Sequence, residues 1–221
     1  YLDGEDLQII DIKIDNKQLK KGEFIYEKAC LKLPADKASF TVQTKVEINP
    51  YKNTQLEGLY ASQTGLFTQC EAEGFRKITF FLDRPDVMAM YKTKIIADKN
   101  NFPVLLANGN LSSEGVTEDG KHWKAYSDPF PKPSYLFALV AAKLEQTKDF
   151  FKTRSGKTAE LSIFVEPGKL HLTSFAMDSL KNSIKWDEDI YDLELDLEQY
   201  KIVAVGDFNM GAMENKGLNI F

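Results

Sequence analysis

Apolar side chains at every second position constrain this chain most. Ile10, Ile12 and Ile14 alternate with charged residues ahead of Asp15-Asn16, and Phe40, Val42, Thr44, Val46 and Ile48 alternate ahead of Pro50. A period of two places such residues on one face of an extended backbone, so both runs predict half-buried antiparallel strands, the first closed by a turn. Further strands are predicted at Ile78 to Leu82, Tyr91 to Ala97, Val104 to Ala107 and Tyr135 to Ala142, with turns at Asn108-Gly109 and Asp119-Gly120. Pro129, Pro131 and Pro133 deny ladder pairing and predict an ordered loop. The first two thirds of the chain read as a large antiparallel β domain.

After Lys143 the pattern changes. Strands at Asp149 to Thr153 and Glu160 to Val165 flank a Ser155-Gly156 turn, and Phe175, Met177, Leu180 and Ile184 then recur at helical spacing behind Thr173 and Ser174, possible N-caps. This predicts a helix over about 175 to 190. The apolar Ile202 to Val205 strand follows and leads through Gly206 to a segment of small residues, which would lie at a sheet edge. A domain boundary is expected near Lys143, separating 1-143 from 144-221. With 221 residues and 43% hydrophobic content, the chain can bury a sizeable core.

The small-residue segment is Asn209-Met210-Gly211-Ala212-Met213-Glu214-Asn215. If Gly211 and Ala212 lie extended, a peptide can approach their backbone closely, and Glu214 offers a fixed negative charge at the end of that track. A free α-amino group is cationic at neutral pH, so an oriented carboxylate can hold it by a charge-assisted hydrogen bond. That fixes which peptide bond lies one residue further on. On spacing alone, a Gly-rich turn with a solvated Glu is the commoner reading, since small residues beside a Glu are frequent in loops.

Gly211-Ala212-Met213-Glu214-Asn215 resembles the G-A-M-E-N exopeptidase signature of the zinc aminopeptidases of the gluzincin clan. Its surroundings, Asp207-Phe208-Asn209-Met210 and Lys216-Gly217-Leu218, are similar to the bacterial aminopeptidase N branch of that family. Three further blocks are similar in the same order: Thr68 to Arg76, Phe81 to Asp86, and Asp128 to Val140. The resemblance implies a mainly β fold, with an N-terminal antiparallel β-saddle domain followed by the start of an α/β thermolysin-like catalytic domain. It implies that Glu214 binds the substrate amine and that Glu71, with Gln69 beside it, supplies a second anchor. Two acceptors can satisfy several donors of one ammonium, whose charge offsets their repulsion. Met210 would cushion the first substrate side chain, its thioether adapting to apolar or basic groups. Gly211 and Ala212 would touch the substrate backbone, Met213 would pack beneath them, and Asn215 would hold the shape of the loop. Lys216 departs from the Trp common at this position in animal relatives, whose preferences are therefore not carried over.

The family's metal motif, H-E-x-x-H on a helix, is missing. His122 and His171 each lack a partner four residues away and read as ordinary strand or surface histidines. The chain is therefore expected to be a piece of a longer enzyme, cut on both sides, ending before the zinc helix and inactive alone. One zinc ion is expected in the full-length parent and none in this piece. The expected function is substrate recognition within a zinc aminopeptidase that removes N-terminal amino acids from peptides. A bifunctional epoxide hydrolase and aminopeptidase fits the neighbouring residues less well. The reading from another class is a non-catalytic β module that binds peptides or proteins. The run Leu218 to Phe221 is expected to leave apolar surface exposed and open to self-association.

The partners expected are peptides with a free N-terminus. With 28 basic and 33 acidic residues and no basic stripe, no nucleic-acid partner is expected. No run is long enough for a membrane span. Cys30 and Cys70 form no C-x-x-C pattern, which fits a reduced, cytoplasmic compartment. Oligomeric state and first-residue preference stay open.

Overall fold

The computed structural model describes residues 1–34, 37–206, 208 and 210–221; Asp207 and Asn209, which flank the signature, lie outside the described residues. The chain forms two compact units, one comprising residues 1–61, 68–89 and 132–137, the other 62–67, 90–131 and 138–221.

The first unit opens with short strands: β1 (Leu2–Asp3), β2 (Gln8–Ile14), β3 (Lys17–Gln18), β4 (Ile25–Glu27), β5 (Cys30–Lys32), β6 (Val42–Glu47) and β7 (Gly58–Ala61). They pair antiparallel in the orders β1-β5-β4 and β3-β2-β6. Asp15 and Asn16, at φ 48° and 66°, form the predicted two-residue turn from β2 to β3, matching the right-handed twist of a hairpin. The expected alternation of Ile10, Ile12 and Ile14 is broken. A register shift between Ile9 and Asp11 leaves Ile10 51% exposed while Ile12 is buried. One added residue reverses the face of everything before it, so Ile9 packs on the core of Leu7, Ile12, Leu19, Leu31 and Phe80.

The strand predicted at Ile78 to Leu82 does not form. Phe75–Lys77 make a 3-10 turn instead, and Phe81 joins Asp3 in an isolated bridge. The Arg76 side chain reaches Asp83, curling the segment rather than extending it.

In the second unit, β8 (Gly65–Gln69) lends its first three residues, and β9 (Lys92–Ala97), β10 (Val104–Ala107), β11 (Asn110–Val116), β12 (His122–Ser127) and β13 (Leu139–Ala142) follow. β10, β13 and β8 pair antiparallel, as do β11, β12 and β9, around Ile95, Leu105, Ala107, Tyr126 and Ala141. The strand expected at Tyr135 to Ala142 is shorter, because Ser134–Leu136 form a 3-10 turn and pairing starts at Leu139.

A separate sheet is built from β14 (Glu145–Lys152), β15 (Thr158–Val165), β16 (Gln199–Ala204) and β17 (Leu218–Ile220), with α1 (Thr173–Tyr191) between β15 and β16. β14 and β15 are antiparallel across the Ser155-Gly156 turn; the crossover through α1 makes β15 and β16 parallel, and β16 and β17 are parallel too. Met177, Leu180 and Ile184 of α1 pack on Leu161, Ile163 and Val165, as the helical spacing predicts. Phe175, expected on that face, is 81% exposed. Thr173 does not cap the helix: it is the first helical residue, and its hydroxyl donates to the Leu170 carbonyl at 2.8 Å.

The expected exposure of Leu218 and Ile220 is also corrected. Both are fully buried because β17 pairs with β16, whereas Phe221 stays half exposed. The fold is mainly β, with a β region preceding an α/β region that carries the one α-helix among the described residues.

Candidate functional site

The signature lies between β16 and β17 and folds back along β17 at the edge of the sheet. Met213 and Ile220 exchange backbone hydrogen bonds of 2.8 and 3.0 Å, and the Leu218 N–H donates to the Asn215 carbonyl at 2.8 Å. Met213 and Asn215 are buried, while Met210, Gly211, Ala212 and Glu214 are exposed. A residue between two buried neighbours on an extended backbone faces the other way, so the loop presents the Glu214 carboxylate outward. A Cβ built on Gly211 would meet nothing within 4 Å, and its φ is not left-handed. Neither the conformation nor the packing of the chain requires glycine there. The open space is available to a second molecule. Asn215 carries another mark of the same kind: both side-chain polar atoms are buried without a hydrogen-bond partner among the described residues.

The base of this loop rests on the Asn108-Gly109 turn. The Asn108 amide donates to the Lys216 carbonyl at 3.0 Å and accepts from the Ala138 N–H at 2.6 Å. Gly109 takes φ +81°, and a Cβ there would stand 2.4 Å from the Ser127 carbonyl oxygen, so glycine is required. The Lys201 ammonium donates to the Gly109 carbonyl at 2.5 Å and lies 5.1 Å from the Tyr126 ring centre. Burial pulls its pKa down to about 8, with the Asp128 and Glu160 charges opposing the shift only in part. Lys216 pairs with Asp196 at 2.8 Å and lies over the Phe130 ring.

The second group of predicted residues belongs to the first unit. Gln69, at the end of β8, is buried, and its amide donates to the Glu71 carbonyl at 3.1 Å, which makes it a brace for Glu71. Glu71 and Glu73 are exposed. Cys70 is fully buried, and burial pushes its thiol far above the ordinary range, so it packs as a small apolar group. The segment then turns around Asp83. Asp83 accepts from the Arg76 N–H at 3.1 Å, from Arg76 Nε at 3.0 Å and from the Ser134 hydroxyl, and its own N–H donates to Asp3 at 3.0 Å. Arg76 also reaches Glu73 at 3.1 Å.

The predicted residues thus occupy two segments, Met210 to Glu214 in one unit and Gln69 to Glu71 in the other, with Met210, Gly211, Ala212, Glu214 and Glu71 exposed and Gln69 buried. Sequence reasoning did not single out Asn108, Lys201 or Asp83 as supports. Asn108 carried only a turn signal, and Asp83 stood within a matched block without a role. Among the described residues no cluster of His, Cys, Asp and Glu could hold a metal. The His122 ring meets the Phe102 carbonyl at 2.7 Å and the His171 ring the Gly168 carbonyl at 3.1 Å. The described residues do not fit a zinc site. An apolar groove of about 730 Å³ runs between α1 and the sheet, past Val165, Phe175, Tyr200 and Phe221. It has no carboxylate among its described lining residues. No described helix is long and apolar enough to cross a membrane.

Residues 1–136 match the model of the peptidase M1 N-terminal domain, and residues 175–221 match that of the peptidase family M1 domain. The chain is 52% identical over 220 residues to aminopeptidase N of Escherichia coli, covering 100% of the chain and 25% of that protein. It is 51% identical over 221 residues to aminopeptidase N of Haemophilus influenzae, with coverage of 100% and 25%. The crystal structure of Legionella pneumophila aminopeptidase A in complex with aspartic acid superposes with a TM-score of 0.94 at 36% identity, over 100% of this chain and 26% of that one. The chain thus spans about a quarter of the length of these relatives.

Proposed function

The chain belongs to the peptidase M1 family, and on that premise we propose that it is the amine-recognising portion of a zinc aminopeptidase that releases N-terminal residues from peptides. The observation that carries this reading is the exposed Glu214 on a backbone fixed by its buried neighbours, beside open space at Gly211. Glu214 accepts hydrogen bonds from the substrate ammonium, and Gly211 and Ala212 let the substrate backbone lie close. Met210, exposed on the same segment, packs on the first substrate side chain. Glu71, whose carbonyl accepts from the Gln69 amide, is proposed as an amine-binding carboxylate on the family resemblance.

Zinc and the group that activates water would come from sequence outside this chain; bound there, the metal would activate water for attack on the first peptide bond. In this reading residues 1–143 form the N-terminal domain and 144–221 begin the catalytic one, which fits the separate sheet that starts at β14. A cytoplasmic location belongs to the proposal and is supported by two free cysteines.

The test is to incubate the full-length protein with a peptide and with its N-acetylated copy and to follow the products by mass spectrometry. Stepwise loss of single N-terminal residues from the free peptide alone is expected. Internal cleavage, equal attack on the blocked copy, or binding without cleavage would overturn the reading, the last leaving a peptide-binding module.

A further inference from the structure

We propose that Asn108 is a positioning residue for amine recognition, setting the place of Glu214 through the Lys216-Gly217 turn. The inference deepens the reading of Glu214 given above and rests on it.

Three observations carry it. The first is the reach of a single side chain: Asn108 donates to the Lys216 carbonyl and accepts from the Ala138 N–H, so one planar amide ties the signature to the entrance of β13. Asn108 is 3% exposed, and at that depth both of its bonds are strengthened by the absence of competing water. The second is the position of its target. Lys216 is two residues beyond Glu214, and Gly217, at φ +77°, turns the chain directly into β17. A shift of the Lys216 carbonyl is therefore passed to Glu214 through only Asn215, whose side chain makes no hydrogen bond among the described residues.

The third is the rigidity of the support. Gly109 admits no side chain, and the Lys201 ammonium holds its carbonyl. The Lys201 backbone N–H donates to the Gly217 carbonyl at 3.2 Å, so turn and loop are fastened to the same residue of β16. Asn108 does not touch the amine in this scheme; it fixes the carboxylate that does.

The test uses the full-length protein and two competitive inhibitors of aminoacyl-anilide hydrolysis that carry no cleavable bond, L-leucinol and its des-amino analogue 4-methylpentan-1-ol. The ratio of the des-amino inhibition constant to that of the amine compound measures amine recognition apart from the amount of folded enzyme. Asn108→Ala is expected to lower that ratio by about tenfold, the effect of roughly one misaligned charge-assisted hydrogen bond, with the des-amino constant unchanged. Asn108→Asp keeps an acceptor for the Ala138 N–H but has no donor for the Lys216 carbonyl, and it should lower the ratio as far. Gly217→Ala strains the same turn from the other side, and it should move the ratio in the same direction even if Asn108→Ala fails to fold.

Glu214→Ala separates the two claims. A ratio lost in Glu214→Ala but kept in the Asn108 and Gly217 variants would overturn the inference and leave the reading of Glu214 standing. A full ratio in Asn108→Asp would also overturn it, by showing that the bond to Ala138 is the one that matters. A ratio that survives Glu214→Ala would overturn the reading and the inference together.

Discussion

The two carboxylate-bearing segments are held by different forces. The turn that follows Glu71 is organised by polar side chains around buried Asp83, which serves Arg76 and Ser134 and takes a further link from Asp3. The segment carrying Glu214 is held by backbone bonds and by Met213, Leu218 and Ile220, all buried. A polar node concentrates its stabilisation in one residue, whereas a strand edge spreads it over a ladder and a core. The Glu71 segment should therefore fail at a single point, and the Glu214 segment by degrees.

The largest expected effect is at the node. Asp83→Ala strips the carboxylate acceptor from Arg76 and Ser134 and leaves a partly buried guanidinium with the exposed Glu73 as its remaining acidic partner among the described residues, at a cost of about 3 to 5 kcal/mol. Denaturant unfolding of the full-length protein checks this, and a loss under about 1 kcal/mol would break the comparison. Met213→Ala should cost about 2 to 4 kcal/mol through the cavity it leaves beneath the signature. Its amine selectivity should decline with stability rather than vanish outright.

Lys201 sharpens the comparison through pH. Its folded pKa of about 8 lies below the unfolded value of 10.5, so the unfolded chain binds more protons between those limits and stability rises with pH across that window. The cost of charging Lys201 is fully present below pH 8 and relieved above 10.5. Relative to Lys201→Met, the wild type should gain roughly 2 to 3 kcal/mol over that range. A flat difference would show that Lys201 is not desolvated beneath the loop. The smallest effect on stability is expected at Gly211. Because a Cβ there meets open space, Gly211→Ala should change stability by less than about 0.5 kcal/mol. It should still lower kcat/KM for an aminoacyl anilide by about tenfold, as the added methyl pushes the substrate backbone away.

How far the sequence disclosed this arrangement depended on distance along the chain. Local signals were legible: the Asp15-Asn16 turn, the hairpin at Ser155-Gly156, and the helix behind Met177, Leu180 and Ile184 all depend on residues within a turn or two of each other. The signature was legible because it is a short contiguous string. What required tertiary pairing was not. Ile10 faces outward because of a bulge that only the partner strand defines. Leu218 and Ile220 looked exposed because their partners on β16, Lys201 and Val203, lie seventeen residues away across the signature loop. Asp83 joins Asp3 and Ser134, and Asn108 joins Lys216, over separations that no local pattern records. The supports of the site were hidden for that reason, while its exposed groups were not.

The most direct test of the central claim is calorimetric titration of the full-length protein with L-leucinol, which carries the amine but no cleavable bond, comparing wild type with Glu214→Gln. This change removes the negative charge while keeping the size of the side chain. The account predicts a loss of affinity of about 10- to 100-fold for L-leucinol and none for 4-methylpentan-1-ol. Equal affinity of both proteins for L-leucinol would contradict it.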